Sequence, residues 1–117
     1  MAKLSRNQAR KNKHFRIRHY IKGTSSKPRL NVFKSLQNFE AQLIDDTKNQ
    51  TIAFVSTKNL PLDKRGNIAA AIEVGNAMGE KIKSLGIKTI VFDRSGYIYH
   101  GKVKAFAEAV RKKGVEF

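Results

Sequence analysis

Apolar and polar residues alternate along two stretches in the first half of the chain. Over Arg29–Lys34, leucine and valine occupy one side while asparagine and phenylalanine occupy the other, which is the period of a β-strand. Phe39–Asp45 alternates in the same way, and residues 35–38 between them are short enough for a hairpin connection. A turn cluster at 45–50 precedes residues 51–56, which are rich in β-branched and aromatic side chains. The pattern predicts a meander of three antiparallel strands.

The pattern then changes to steps of three and four residues, the spacing of one helical face. Asn67 stands where an N-cap is expected, and Gly86 stands where a helix ends. Two glycines on this face would each cost about 1 kcal/mol against alanine. We therefore expect them to allow a close approach of the helix to the sheet. The predicted face consists of Ile68, Ala71, Ile72, Gly75, Met78, Gly79, Ile82 and Leu85.

Two more elements complete the predicted fold. The apolar residues 88–92 predict a fourth, buried strand, and residues 102–113 predict a second helix that ends before Gly114. The connection from a strand through a helix to the next strand is right-handed, so the fourth strand lies parallel to its neighbour. We expect an α/β fold with a mixed four-stranded sheet of order 3-2-1-4, strand 2 antiparallel to the rest, and two packed helices. The inward residues of the second helix are Val103, Phe106, Ala107 and Val110.

The segment before the first strand has a different composition. Residues 1–29 carry ten Lys and Arg and no acid, whereas the whole chain carries 24 basic and 9 acidic residues. Apolar side chains form only a partial helical stripe here, so we expect this segment to be disordered in the free protein and to order, with a helix as one possibility, on a partner. A break rich in Gly, Ser and Pro lies at 23–28. We divide the chain into a basic arm, 1–28, and an α/β domain, 29–117.

The net charge of +15 and the pI near 10.4 indicate a polyanionic partner. The chain lacks both an apolar stretch of the roughly 18 residues that a spanning helix needs and the apolar block of a signal peptide. We predict a cytoplasmic protein without a membrane partner. There is no cysteine, the three histidines are far apart, and no glycine run continues into Gly-Lys-Ser/Thr. We therefore predict no metal, no cofactor and no small-molecule substrate.

Cations and aromatic residues are interleaved in the loop between the fourth strand and the second helix. Aromatic rings stack on unpaired bases and cations bind phosphates, so this composition favours RNA contact. The alternative is that Tyr97 and Tyr99 pack beneath the loop, as alternate positions of a short extended segment often do. The candidate RNA-binding residues of the loop are Arg94, Tyr97, Tyr99, His100 and Lys102.

The same loop contains Asp93, Ser95 and His100, an acid, a nucleophile and a base. Nothing in the sequence supplies a nucleophile elbow or an oxyanion site beside them. The paired Asp45 and Asp46 lie in a turn, where aspartate is common for its local backbone bonds. We predict that the protein is not an enzyme. Two alternatives stay open, a small phosphodiester-cleaving enzyme and an architectural DNA-binding protein, and metal-dependent cleavage of RNA would reveal the first.

Several stretches together resemble a known family. They are Lys27-Pro28-Arg29-Leu30, Val32-Phe33-Lys34-Ser35, Ala41-Gln42-Leu43-Ile44-Asp45-Asp46 and Phe92-Asp93-Arg94-Ser95-Gly96-Tyr97-Ile98-Tyr99-His100-Gly101-Lys102-Val103. The chain resembles, over essentially its whole length, the bacterial large-subunit ribosomal protein that is eighteenth in its series. The last stretch is the most specific part of the resemblance.

The resemblance implies a ribonuclease H-like topology without the catalytic acids. It also implies a structural protein of the large ribosomal subunit that binds 5S rRNA and helps attach it to 23S rRNA in the central protuberance. Neighbouring 5S-binding ribosomal proteins of the large subunit would be further partners. No reaction is expected.

The predicted RNA-binding residues come from two arguments. By matching position, the resemblance implies a role for Arg10, Lys11, Arg16, Arg18, Arg29, Lys34 and the loop residues Arg94, Tyr97, Tyr99, His100 and Lys102. The acid-free composition of the arm favours phosphate binding by its other cations as well. These are Arg6, Lys13, Lys22 and Lys27.

Overall fold

The computed structural model of the chain describes residues 5–18, 22–60 and 66–117, apart from the side chains of His14, Ile17 and Arg18. These residues form three α-helices and four strands. In chain order they are α1 (Arg6–Arg18), β1 (Arg29–Lys34), β2 (Phe39–Asp45), β3 (Gln50–Ser56), α2 (Ile68–Ser84), β4 (Val91–Asp93) and α3 (Lys102–Lys112), and a short 3-10 helix at Thr57–Asn59 follows β3.

The strands form one mixed sheet of order β3-β2-β1-β4. β2 is antiparallel to both of its neighbours, and β4 is parallel to β1. Leu30 of β1 lies between Leu43 of β2 and Phe92 of β4. The predicted α/β fold, strand order and strand directions are confirmed.

The predicted bounds of β1 and β2 are confirmed, and β3 begins one residue earlier than predicted. The fourth strand is different, because residues 88–90 leave β1 and run along the C-terminal segment instead. Thr89 forms a parallel bridge with Glu116. The amide of Ile90 donates to the carbonyl of Glu116 at 3.1 Å, and the amide of Glu116 donates to the carbonyl of Lys88 at 3.0 Å. Only Val91–Asp93 are left to pair with β1.

The hydrophobic core lies between one face of the sheet and the two helices α2 and α3. Leu30, Val32 and Leu43 contribute from the sheet, and all three are fully buried. The rings of Phe39 and Phe106 meet in this core with their centres 5.2 Å apart. Burying a side chain of this size stabilises the fold by roughly 1.5–3 kcal/mol.

Helix α2 begins and ends where the sequence predicts. The side chain of Asn67 accepts a hydrogen bond from the amide of Ala70 at 2.8 Å, and Gly86 follows the C-terminus with a φ of +75°. The predicted buried face is wrong at Ile68, Ile72 and Leu85, which are 52%, 38% and 50% exposed.

Ala70 and Val74 are buried in place of these three residues. Ile72 lies beyond the edge of the buried arc, while Ile68 and Leu85 lie at the two ends of the helix. Helix periodicity fixes which residues share a side, whereas the neighbouring elements decide how far the buried arc extends.

The two glycines of α2 allow a close approach to α3, so the predicted approach of this helix to the sheet is wrong. A Cβ added at Gly75 would lie 2.7 Å from Cβ of Ala109 and from the carbonyl oxygen of Phe106. A Cβ added at Gly79 would lie 2.7 Å from Cβ and Cγ of Lys113. The two helices therefore touch through backbone where the glycines remove the side chain.

Helix α3 agrees closely with its prediction. It spans Lys102–Lys112 with Lys113 as C-cap, and Gly114 follows with a φ of +94°. Its residues predicted to point inward, Val103, Phe106, Ala107 and Val110, are all buried.

Candidate nucleic-acid interface

Helix α1 begins with a capping box. The side chain of Ser5 accepts a hydrogen bond from the amide of Gln8, and the side chain of Gln8 accepts one from the amide of Ser5, both at 3.1 Å. These two bonds satisfy amides that a helix N-terminus otherwise leaves without a partner. The structure thus contains the helix that the sequence left as one possibility for this segment. The Ser-x-x-Gln spacing is a sequence signal for this helix start, which the hydrophobic pattern alone does not reveal.

The cations of the arm are well placed to meet a polyanion. The side chains of Arg6, Lys11, Lys13 and Arg16 are exposed on α1, and those of Lys22 and Lys27 are exposed in the segment that follows. The predicted role of Arg18 falls on a side chain outside the described residues. Because residues 1–29 contain no carboxylate, no acid of the arm itself neutralises these charges.

One cation of α1 points at the folded domain. Nη1 of Arg10 donates to the carbonyl oxygen of Ser95 at 3.0 Å. The guanidinium carbon of Arg10 lies 4.6 Å from the centre of the Tyr97 ring. Helix α1 therefore contacts the loop between β4 and α3, and the two regions singled out from the sequence lie side by side.

Tyr97 packs inside the molecule, with only 9% of its surface exposed. Its hydroxyl donates to the carbonyl of Lys34 at 3.2 Å and accepts from the amide of Lys34 at 3.3 Å. Nζ of Lys34 lies 5.4 Å from the ring centre, in addition to Arg10. Of the two roles that the sequence left open, this burial favours packing of Tyr97 over base contact, because the ring is covered by the protein's own residues.

Tyr99 remains partly open to solvent, with 37% of its surface exposed. Its ring meets Phe92 edge to face with centres 6.4 Å apart, and its hydroxyl accepts from Nη1 of Arg111 at 3.0 Å. These contacts fix the ring and leave part of it accessible. His100 beside it is exposed.

Two cations of the loop also hold the loop together. Nη1 of Arg94 donates to the carbonyl of Tyr97, and Nζ of Lys102 donates to the carbonyl of Ser35 at 3.3 Å. Both side chains belong to half-buried residues, and so does Lys34. The hydrogen bond of Lys102 joins the start of α3 to the β1–β2 loop, so Lys34 at the end of β1 and the cations of the β4–α3 loop lie at the same end of the sheet.

Arg29 is buried and paired within the fold, which favours a structural role over its predicted RNA contact. Only 3% of its surface is exposed. Its Nε donates to Asp46 at 2.9 Å and its Nη1 donates to Asp93 at 2.7 Å. Burial alone would lower the pKa of Arg29, but the hydrogen bonds and charges of Asp46 and Asp93 raise it above its usual value. The guanidinium stays charged and has no face left for phosphate.

Two of the three residues that suggested an active site, Asp93 and Ser95, belong to the same polar cluster, while His100 is exposed outside it. Asp93 accepts from the amide of Ser95 at 2.9 Å and from the side chain of Asn31 at 3.1 Å. The hydroxyl of Ser95 accepts from the side chain of Asn31 at 2.7 Å, and the backbone of Ser95 has a φ of +57°. A carboxylate paired with Arg29 and a hydroxyl that accepts from an amide are not an acid and an activated nucleophile.

Asp45 is likewise tied to its own turn. Its carboxylate accepts from the hydroxyl of Thr47 at 2.5 Å and from the hydroxyl of Ser25 at 2.8 Å. The bond from Thr47, followed by that from Ser25, lowers the pKa of Asp45 below its usual value. Asp45 therefore holds the β2–β3 turn, while Asp46 binds Arg29 and the amide of Gly23.

Two other features, a metal-binding group and a membrane-spanning helix, were sought among the described residues. Nowhere in them do three or more His, Asp or Glu side chains come together as a metal-binding group. Among these same residues there is also no helix with the length and apolarity that crossing a membrane requires.

Comparison with known proteins decides the family. Residues 4–117 match the family described as ribosomal L18 of archaea, bacteria, mitochondria and chloroplasts. The chain belongs to the ribosomal L18 family. The resemblance found in the sequence is confirmed, since the match takes in both α1 and the whole α/β fold.

Relatives of the L18 family align with the chain from end to end. The large ribosomal subunit protein uL18 of Mycoplasmopsis pulmonis is 56% identical over 118 residues, which cover 100% of each chain. The uL18 protein of Mycoplasma mobile is 58% identical over the same coverage. The uL18 protein of Bacillus cytotoxicus is 47% identical over 119 residues, covering 100% of this chain and 99% of its own.

Membership of the L18 family makes this chain a structural protein of the large ribosomal subunit and not an enzyme. It decides against the two alternatives, a phosphodiester-cleaving enzyme and an architectural DNA-binding protein. The relatives named above come from bacteria, whose ribosomes lie in the cytoplasm, so the predicted ribosomal and cytoplasmic location is confirmed.

Proposed function

We propose that this L18 protein binds 5S rRNA and helps attach it to 23S rRNA in the central protuberance of the large subunit, beside neighbouring 5S-binding ribosomal proteins. The observation that carries the proposal is the contact of Arg10 with Ser95 and Tyr97. It brings the acid-free cations of α1 next to the loop between β4 and α3. Arm and domain then offer one basic surface to a folded RNA.

The division of labour follows from the two kinds of side chain on this surface. Each phosphate that a Lys or Arg neutralises releases a bound counterion, which supplies affinity without reading sequence. Arginine adds a planar fork that can bind two phosphate oxygens. We assign most of the phosphate contacts to the arm, residues 1–28, and contacts with unpaired bases to the loop of the domain, residues 29–117.

The proposed RNA-binding set omits three residues of the sequence-based set. Arg29 and Tyr97 leave it because they are buried, and Arg10 because its guanidinium faces Ser95 and Tyr97. The set that remains is Arg6, Lys11, Lys13, Arg16, Arg18, Lys22, Lys27, Lys34, Arg94, Tyr99, His100 and Lys102.

The test is equilibrium binding of the purified protein to fluorescent 5S rRNA, with a structured RNA of similar length but unrelated sequence as control. We expect tighter binding of 5S rRNA than of the control at moderate salt. A fragment of 23S rRNA that binds 5S rRNA only when the protein is present would establish the attachment. Equal affinity for 5S rRNA and the control would contradict the proposal, because charge alone would then account for binding.

A further inference from the structure

We propose that Arg10 and Tyr97 form an intramolecular latch that sets where α1 lies on the domain, so that Arg10 acts as a positioning residue instead of a phosphate ligand. The inference rests on the proposed RNA-binding function and deepens it. The charge of Arg10 would belong to the protein's own architecture, and the other cations of α1 would bind RNA from the position that the latch gives them.

The receiving side of the latch is built by the domain. The ring of Tyr97 is held from its hydroxyl, which makes two hydrogen bonds with the backbone of Lys34 at the end of β1. The carbonyl of Ser95 is held by the turn that Asp93 fixes through the amide of Ser95. Both groups that meet Arg10 are therefore set by the sheet, and α1 adds only the guanidinium.

The guanidinium of Arg10 makes three contacts. Nη1 binds the carbonyl of Ser95, the planar group lies over the ring of Tyr97, and Nη2 approaches the side-chain oxygen of Asn7 at 3.5 Å. The first of these is a directional bond and the second a stacking contact that a planar guanidinium makes better than an ammonium group. Lysine could keep the charge at this position and not the geometry.

The latch has a consequence for the other cations of the helix. Residues three and four apart share a side of an α-helix, so Arg6 and Lys13 lie on the same side as Arg10. Docking Arg10 on the loop therefore places these two cations beside it. Lys11 and Arg16 lie at the flanks of this side and stay exposed.

Binding to 5S rRNA by charge-conserving variants tests the latch. We expect Arg10→Lys to weaken binding by about twofold to thirtyfold, which corresponds to a cation–π contact of about 0.5–2 kcal/mol. The matched control Arg6→Lys, on the same side of α1, should weaken it less, because a phosphate accepts either cation. If Arg10→Lys loses no more affinity than Arg6→Lys, Arg10 is an ordinary phosphate ligand and the latch is wrong.

A double-mutant cycle tests whether the partner is Tyr97. Tyr97→Leu should weaken binding about as much as Arg10→Lys, and the double variant should be no weaker than either single variant. Tyr97→Phe keeps the aromatic face and should lose less affinity than Tyr97→Leu. Additive losses would overturn the pairing.

A spectroscopic readout keeps the test independent of affinity and of the folding of the Leu variant. In the latch, the side-chain protons of Arg10 lie over an aromatic ring and should shift upfield in NMR spectra of the wild-type protein, recorded alone and with 5S rRNA. Absence of this shift in both states overturns the latch. If wild-type protein does not prefer 5S rRNA but the shift is present, the proposed function fails and the latch stands.

Discussion

The side chain of Arg29 links three parts of the fold through hydrogen bonds and ion pairs. It begins β1, and its guanidinium binds Asp46 in the turn after β2 and Asp93 at the end of β4. These ion pairs lie on the sheet face opposite α2 and α3. Asn31 also binds Asp93 there. A charged group placed in such an enclosed cluster stabilises the fold only while its partners are present.

We expect Arg29→Met to lower the free energy of unfolding by about 3–5 kcal/mol, because Asp93 would stay buried without its charged partner. Urea denaturation followed by circular dichroism measures the loss. Lys27→Met removes an exposed cation two residues earlier and should change stability by no more than about 0.5 kcal/mol. Equal effects of the two substitutions would show that the ion pair contributes nothing beyond surface charge.

Because the pKa of Asp45 is lowered in the folded protein, the free energy of unfolding depends on pH in the acidic range. The unfolded carboxyl has a pKa of about 3.9, and the folded one titrates below this because Thr47 and Ser25 donate to it. The stabilisation is thus present above about pH 4 and is lost as the pH falls through the folded pKa. In urea midpoints measured from pH 5 to pH 2, Asp45→Asn should show a shallower fall than wild type. Thr47→Val should also make the fall shallower, and an unchanged profile in both variants would contradict the assignment.

Tyr99 is the aromatic residue of the loop that we expect to touch RNA. Replacing it with alanine should weaken 5S rRNA binding by about 1–3 kcal/mol if its open face stacks on a base. The dependence of the affinity on salt should hardly change, because no charge is removed. Unchanged affinity in Tyr99→Ala would show that this ring only packs on Phe92.

The two loop tyrosines show what sequence can and cannot predict about single residues. Tyr97 and Tyr99 are two positions apart with similar neighbours, so the pattern left base contact and packing open for both. The two residues differ because the hydroxyl of Tyr97, and not that of Tyr99, binds the backbone of Lys34, which lies 63 residues earlier in the chain. Arg29 was misjudged for the same reason, since its acidic partners lie 17 and 64 residues further along the chain.

At the scale of elements, α2 and α3 pack closely against each other. This packing depends on two missing side chains, at Gly75 and Gly79, one turn apart on α2. The carbonyl of Phe106 cannot move away from an added Cβ without moving α3 itself, whereas the side chain of Lys113 can rotate in part.

Gly75→Leu and Gly79→Leu should each lower stability by about 1–3 kcal/mol, because both overpack the interface between the helices. We expect the larger loss at Gly75, where backbone blocks the new side chain. Thermal melting of the RNA-free protein measures both. Ala69→Leu, on the exposed side of the same helix, is the matched control and should melt near the wild-type temperature. A Gly75→Leu, Gly79→Leu double variant with an unchanged melting temperature would contradict this packing.

The elements themselves were largely predictable, because each carries its own local signal. Alternation gave β1 and β2, and caps and glycines gave the ends of α2 and α3. The shortening of β4 was not predictable, since it depends on Glu116 competing for residues 88–90. The α2 glycines were predicted to face the sheet and instead face α3. Helical spacing shows which side of a helix is closely packed, but it does not show which element packs there.

For the molecule as a whole, we expect the excess charge to dominate the affinity for RNA. If the arm and loop together neutralise about 6–8 phosphates, the logarithm of the association constant should fall with the logarithm of salt concentration with a slope of about −4 to −7. Deleting residues 1–22 should flatten this slope by several units. Filter binding to 5S rRNA between 50 and 300 mM salt, roughly the range over which such slopes are linear, measures both. A slope that survives the deletion would show that the arm is not the electrostatic anchor.

The location of this basic surface was predictable in part. Composition alone placed the cations in the arm and the loop. That α1 and the loop are in contact could not be predicted, because Arg10 and Ser95 are 85 residues apart and neither carries a sequence signal for the other.

The pairing of Arg29 with Asp93 also bears on how the chain is made. The two residues are 64 apart, so Arg29 is synthesised well before Asp93 exists. At about 5–20 residues per second, that interval lasts roughly 3 to 13 seconds. During it Arg29 lacks one of its carboxylates, and the sheet face that α3 later covers is open to solvent. We expect nascent chains that stall before residue 91 to be the form of this protein most prone to aggregation and most dependent on chaperones.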